Sequence, residues 1–217
     1  MRVGIITGSA RILAVTALSL SLGGCALLGM LGGGSKNPAQ LYRFGGAETT
    51  ASGPVAAGAV NVQLSSLRMD SAAEGDRLLA ITDTEASYIA DSRWVAPAQD
   101  LMTLAAERAF DRVGLRLIRR GQPIGPDISL SLEVPTFEAR YENGADAAPV
   151  VVVEIRAALI AGPTRDVLGE AAYTVRQPAP ANRVGAIVAA YDLAVRQALD
   201  QTAGWAATTV RTLPPRS

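Results

Sequence analysis

The chain reads as an α+β protein: a mostly antiparallel sheet of short strands and a long meander, packed by two main helices at about 97–113 and 183–207. Three observations predict this. Apolar residues alternate with polar ones over Val60–Ser65 and Ile128–Val134, the period of a half-buried strand. Two other stretches repeat apolar residues at intervals of three and four, the period of a helix lying on a core. Turn residues separate the strands at Asp83-Thr84-Glu85, Asn143-Gly144 and Gly162-Pro163.

Taken in order, Leu41–Phe44 is a short extended segment, followed by a loop rich in Gly, Ala, Ser and Thr up to Ala59. Val60, Val62 and Leu64 mark the first clear strand. The polar loop Asp70–Asp76 leads to Arg77–Thr82, which turns back into Ala86–Ala90 as a hairpin. Pro97 suits a first helical position, where its missing N–H costs nothing. Leu101, Met102, Ala105, Ala109 and Val113 share the core face of that helix, and Gly114 supplies its stop. Leu115–Ile118 resumes a strand before the turn at 121–126.

The meander then begins. Ile128, Leu130, Leu132 and Val134 point one way, but beyond Pro135 the apolar parity passes to Phe137, Ala139 and Tyr141. One extra residue in the count predicts a bend or bulge at Val134–Thr136. Val150–Ile160 is apolar at nearly every position, as in a strand covered on both faces. Val167–Arg176 completes the meander before Pro178 and Pro180. Asn182 is a fair N-cap for the second helix. Its core face runs Val184, Ile187, Val188, Tyr191, Val195, Ala198, Leu199, Thr202 and Trp205, with Asp192, Arg196 and Asp200 along the outside.

The single cysteine, Cys25, closes the run Leu22-Gly23-Gly24-Cys25. Arg2 and Arg11 precede an apolar stretch, Ile12–Leu22, so the segment has the layout of a bacterial secretory signal. Its last four residues match a lipobox, where cleavage before the cysteine leaves a thiol to carry diacylglycerol. A transmembrane reading of Ile12–Leu31 meets the minimum length, but Ser19, Ser21, Gly23, Gly24 and Gly29 suit hydrocarbon badly. A buried-thiol reading leaves the glycines and arginines unexplained. The expected organisation is a signal peptide at 1–24, a lipidated Gly-rich tether at 25–38, and a single α+β domain at 39–217. A tether of that length reaches roughly 20 Å as a coil. Three acyl chains, palmitate among them, would hold it, since two already give stable attachment. Ala26 rather than aspartate after the cysteine favours the outer membrane, on its periplasmic face, over the inner one.

Composition narrows the function. The chain has 20 basic and 20 acidic residues; without Arg2 and Arg11 the mature form is formally −2, so nothing favours nucleic acid. It contains no histidine, which removes the Ser-His-Asp and Cys-His triads and the commonest metal ligand. With Cys25 committed to lipid, no disulfide or thiolate site is left, and no cofactor or metal is expected beyond that covalent lipid. Glu133, Glu138 and Glu154 fall on neighbouring strands and could approach the separation that glycosidases use, yet acidic residues alternating with apolar ones are also the ordinary wet face of a sheet.

A lipobox, a Tyr-x-Phe opening strand, a hairpin with Tyr88 leading into Arg93-Trp94-x-x-Pro97, a helix, a long hairpin and a terminal Ala-rich helix ending near Trp205 together resemble the ABC-type transport auxiliary lipoprotein family. The resemblance covers about Pro38 to Ala207 and is sharpest at Tyr88–Pro97; the stretch Gly45–Ala59 is longer than the family pattern. It implies a non-enzymatic accessory to ABC transporters that carry an MCE (mammalian cell entry) subunit and move lipids across the envelope. It further implies docking on the MCE protein, and it allows a homo-oligomer, since some relatives form rings. Arg93 and Trp94 are candidate partner-docking residues, as both types are favoured in interface hot spots; the alternative puts Trp94 in the core at the mouth of the first helix and Arg93 in solvent. A different function fitting the same residues is a structural or assembly lipoprotein of the outer membrane, serving lipopolysaccharide or barrel assembly.

Overall fold

The computed structural model describes residues 38–46, 59–119, 128–162 and 164–213. Ala39–Ser217 forms one unit by its backbone contacts. Ten elements follow in order: β1 (Gln40–Tyr42), β2 (Val60–Met69), β3 (Arg77–Thr82), β4 (Glu85–Trp94), α1 (Ala98–Arg112), β5 (Leu115–Arg119), β6 (Ile128–Arg140), β7 (Val150–Ala161), β8 (Val167–Pro178) and α2 (Val184–Arg211). The class is α+β with two helices among the described residues, as the periodicities predict.

Strand β6 organises the sheet because it is long enough to carry several neighbours. Antiparallel β7 lines one edge of it from Ile128↔Ala161 to Arg140↔Val150, and β8 pairs antiparallel beyond β7. The other edge is shared. Parallel β2 occupies its first half, from Gln63↔Ser129 to Met69↔Val134, and β3 takes its end at Ala80↔Ala139 and Ile81↔Arg140. Beyond β2 lies parallel β5; beyond β3 come antiparallel β4 and then parallel β1. The sheet is therefore mixed. Its longest ladders are the two antiparallel pairings of the meander, and the parallel joins around β2 come from crossovers that strand periodicity does not reveal.

The expected bulge is present. Glu133 pairs with Arg156 and Thr136 with Glu154, three residues on β6 against two on β7. The insertion moves the inward set from Ile128, Leu130, Leu132 and Val134 to Phe137 and Ala139, all buried. Pro135 sits within it, where a missing donor does least harm. A larger excursion occurs in β4: Arg77 pairs with Arg93 but Leu79 with Tyr88, two residues against five. Asp91 takes φ +50° there, and the Ser92 hydroxyl donates to Ile89 O at 3.0 Å. Strand β7 is less covered than its composition suggests. Val151, Val153, Ile155, Ala157 and Leu159 face the core, while on the other side Val152 is buried, Arg156 is exposed and the rest are half-buried.

Both helices lie on the core side of the sheet, α2 over β7 and β8 and α1 beside β2 and β5, and they touch each other. Arg112 pairs with Asp200 and the Arg211 side chain reaches Val113 O, so the two run alongside in the same direction. Helix α1 starts at Ala98. Pro97 is its cap with ψ 135°, one position earlier than expected, because the 70–76 loop supplies the first-turn acceptors: Ala98 N–H donates to Gly75 O and Gln99 N–H to Glu74 O. Gly114, at φ +78°, ends the helix as predicted. The α2 cap is Arg183 rather than Asn182. Asn182 instead holds the 143–147 turn, donating to Ala145 O at 2.9 Å and accepting from the Tyr141 hydroxyl at 3.1 Å.

Candidate docking surface

Trp94 ends β4 on the inward side, and the β4 excursion sets its direction. It is 2% exposed and packs edge-on to Phe44 (4.9 Å between ring centres) and to Tyr191 (5.3 Å). Phe137 touches all three. Trp94 offers a partner essentially no surface, so its position is that of the core alternative. Arg93, one residue earlier, points outward. Both Asp76 carboxylate oxygens accept from its Nη1, at 3.0 and 2.9 Å, with each side chain nearly half exposed. An exposed pair of this kind is worth about 0.2–1 kcal/mol.

Around Arg93 the surface mixes charge and apolar area. Leu41 is its register partner on β1, and Val95, whose N–H donates to Tyr42 O, follows it; both are exposed. The Arg77 guanidinium stacks 3.7 Å from the Tyr88 ring centre, and the Tyr88 hydroxyl donates to Ala72 O. The sharpest part of the sequence pattern, Tyr88–Pro97, therefore serves two ends: Trp94 inside, and Tyr88, Arg93 and Val95 outside.

Sequence reasoning missed a junction at Gly45. Its N–H donates to Asp192 Oδ1 on α2 at 2.7 Å, and its carbonyl accepts from Arg108 on α1. Asp192, expected on the outer stripe, is thus a link between α2 and the segment after β1. A Cβ on Gly45 would lie 2.7 Å from Ala105 Cβ, and φ is +66°, so both space and backbone require glycine. The glycine beside Phe44 was a visible signal; its partners, 63 and 147 residues away, were not. Cys25 and residues 47–58 lie outside the described residues.

The three carboxylates that could have suggested glycoside chemistry are each engaged with a neighbouring arginine or lie opposite one. Glu138 accepts from Arg140 and Glu154 from Arg156 and Thr136, while Glu133 is the register partner of Arg156. All three sit on the open face of the sheet. Among the described residues no group of three or more His, Cys, Asp or Glu is placed to hold a metal ion, and no helix is long and apolar enough to cross a membrane.

None of the curated proteins compared with the chain matches it. Among solved structures, a Xanthomonas campestris protein of the DUF330 family aligns with TM-score 0.61 at 20% identity, over 80% of this chain and 88% of its own. A second, described as an uncharacterized protein, gives TM-score 0.58 at 12% identity, over 80% and 99%. These likenesses establish a shared fold. Residues 42–203, from β1 through most of α2, match the family described as the ABC-type transport auxiliary lipoprotein component. The chain belongs to the ABC-type transport auxiliary lipoprotein family.

Proposed function

We propose that this chain is a lipid-anchored periplasmic accessory subunit that docks on the MCE protein of an ABC-type lipid transporter. Its first mature residue, Cys25, carries acyl chains in the periplasmic leaflet of the outer membrane, and the folded unit stands as a partner for transporter subunits. The observation that carries the reading is the family match over 42–203 in a chain whose Leu22–Cys25 reads as a lipobox. Its role is binding, and no catalytic step is assigned to it. Arg93 is the docking residue on this reading, with Leu41, Val95 and Tyr88 beside it, and Trp94 supports it from beneath.

A photo-crosslinking residue at position 93, introduced in intact cells, tests this. The expected product joins the chain to an MCE or ABC subunit, and Arg93→Glu weakens co-purification of that subunit. Capture of a β-barrel assembly protein instead, with lipopolysaccharide rather than phospholipid disturbed on deletion, would replace this reading with the assembly role.

A further inference from the structure

Resting on the docking reading above, we propose that Arg77 and Arg93 together grip a carboxylate of the docked protein, an Asp or Glu standing among apolar residues of that partner.

Arg77 on β3 and Arg93 on β4 are register partners, so two exposed arginines stand directly across from each other. Like charges in that position destabilise a strand pair. Asp76 answers one of them: both its carboxylate oxygens accept from Arg93. Arg77 has no ion pair among the described residues; its guanidinium lies over the Tyr88 ring, 3.7 Å from the centre. Stacking occupies the face of a guanidinium and leaves its edge of N–H donors open to an acceptor. Two positive charges therefore meet one negative. The free chain bears this repulsion, and an arriving anion relieves it.

The surroundings select the anion. Leu41, the register partner of Arg93 on β1, and Val95 are exposed on the Arg93 side, and exposed Tyr88 flanks Arg77. The arginine pair is thus rimmed by apolar and aromatic surface. Guanidinium forks bind a carboxylate through paired N–H bonds, and the rim suits apolar side chains on either side of that carboxylate. Arg and Tyr are also the residue types that dominate protein interfaces. A leaflet of anionic lipid fits less well, because it attracts through the sum of many basic residues and this patch has a surplus of one.

The full chain carrying a photo-crosslinking residue in place of Val95 is irradiated in intact cells, and the captured peptide is read by mass spectrometry. The expected peptide belongs to the transporter subunit captured from position 93 and holds an Asp or Glu with apolar neighbours. Arg77→Gln raises the dissociation constant for that subunit by about tenfold or more. Arg77→Lys falls between, since it keeps the charge and loses the fork. Arg116→Gln, at an exposed arginine on β5, leaves the affinity unchanged. The thermal midpoint of Arg77→Gln holds or rises, because relief from Arg93 offsets the lost stack on Tyr88. Arg77→Glu is rescued by changing the partner's acidic residue to Arg. A fall in midpoint with unchanged affinity, a captured peptide without a carboxylate, a phospholipid adduct in its place, or failure of the rescue would each overturn the proposal and leave docking at 93 standing. Capture of no transporter subunit from either position removes the docking reading and this proposal together.

Discussion

At Gly45 two helices and the opening segment meet on one residue, and a methyl group there would strike Ala105. Gly45→Ala is expected to lower stability by about 2–4 kcal/mol, from overpacking and left-handed backbone strain together. Gly46→Ala serves as the comparison, because its added carbon would press on the movable Arg43 side chain and touch Arg108 at ordinary contact distance; urea unfolding of both reports the difference. Tyr191 makes a second residue-scale case. Burial, with smaller contributions from Glu138 and Tyr141, pushes its phenol well above the ordinary value of 10.0, and its hydroxyl donates to Leu79 O. The fold holds the protonated form, so its contribution is complete below about pH 10, where the unfolded phenol ionises, and is lost as pH climbs toward the folded value. Burial raises Tyr141 in the same direction. Tyr191→Phe should cost about 1–3 kcal/mol at neutral pH, since the Leu79 carbonyl loses a buried donor. It should also flatten the alkaline fall in denaturation midpoint, and an unchanged alkaline slope would refute the assignment.

At the scale of the element, the bulge in β6 decides which side chains are inside. Removing Pro135 would take away the extra residue and turn Phe137 and Ala139 toward solvent or the earlier apolar set outward. Its deletion is expected to prevent soluble expression, whereas Pro135→Ala changes stability by under about 1 kcal/mol; circular dichroism and expression yield separate the two. Asn182→Ala is expected to cost about 1 kcal/mol by freeing the 143–147 turn, with faster amide exchange confined to that turn. These elements also show what could be read from sequence. The bulge, both helices, the hairpins and the Gly114 stop were legible, because each follows from local period or from one residue's backbone preference. Pairing partners of β2, the first-turn acceptors of α1 and the duties of Asn182 and Asp192 were not, because each depends on a segment dozens of residues away. Trp94 shows the same limit at the candidate site. Its residue type fits an interface or a core equally well, and only the aromatic cluster around it decides.

For the molecule as a whole, attachment on the proposed reading rests on one atom, the Cys25 sulfur. Cys25→Ser is expected to remove the acyl mass and, with the lipobox destroyed, to hold the chain in the inner-membrane fraction on its uncleaved leader, while leaving its thermal midpoint unchanged, since the unit Ala39–Ser217 holds its own core. Mass spectrometry and fractionation read both outcomes. That core is one cluster running from Phe44 to Ala207, so the first and last elements close on each other.

Because β6 has neighbours along both sides, with β2 and β3 end to end on one of them, no line can be drawn through the sheet that leaves two self-sufficient pieces. A protease nick in an outer loop would leave the halves clasped, and heating would melt them in a single step.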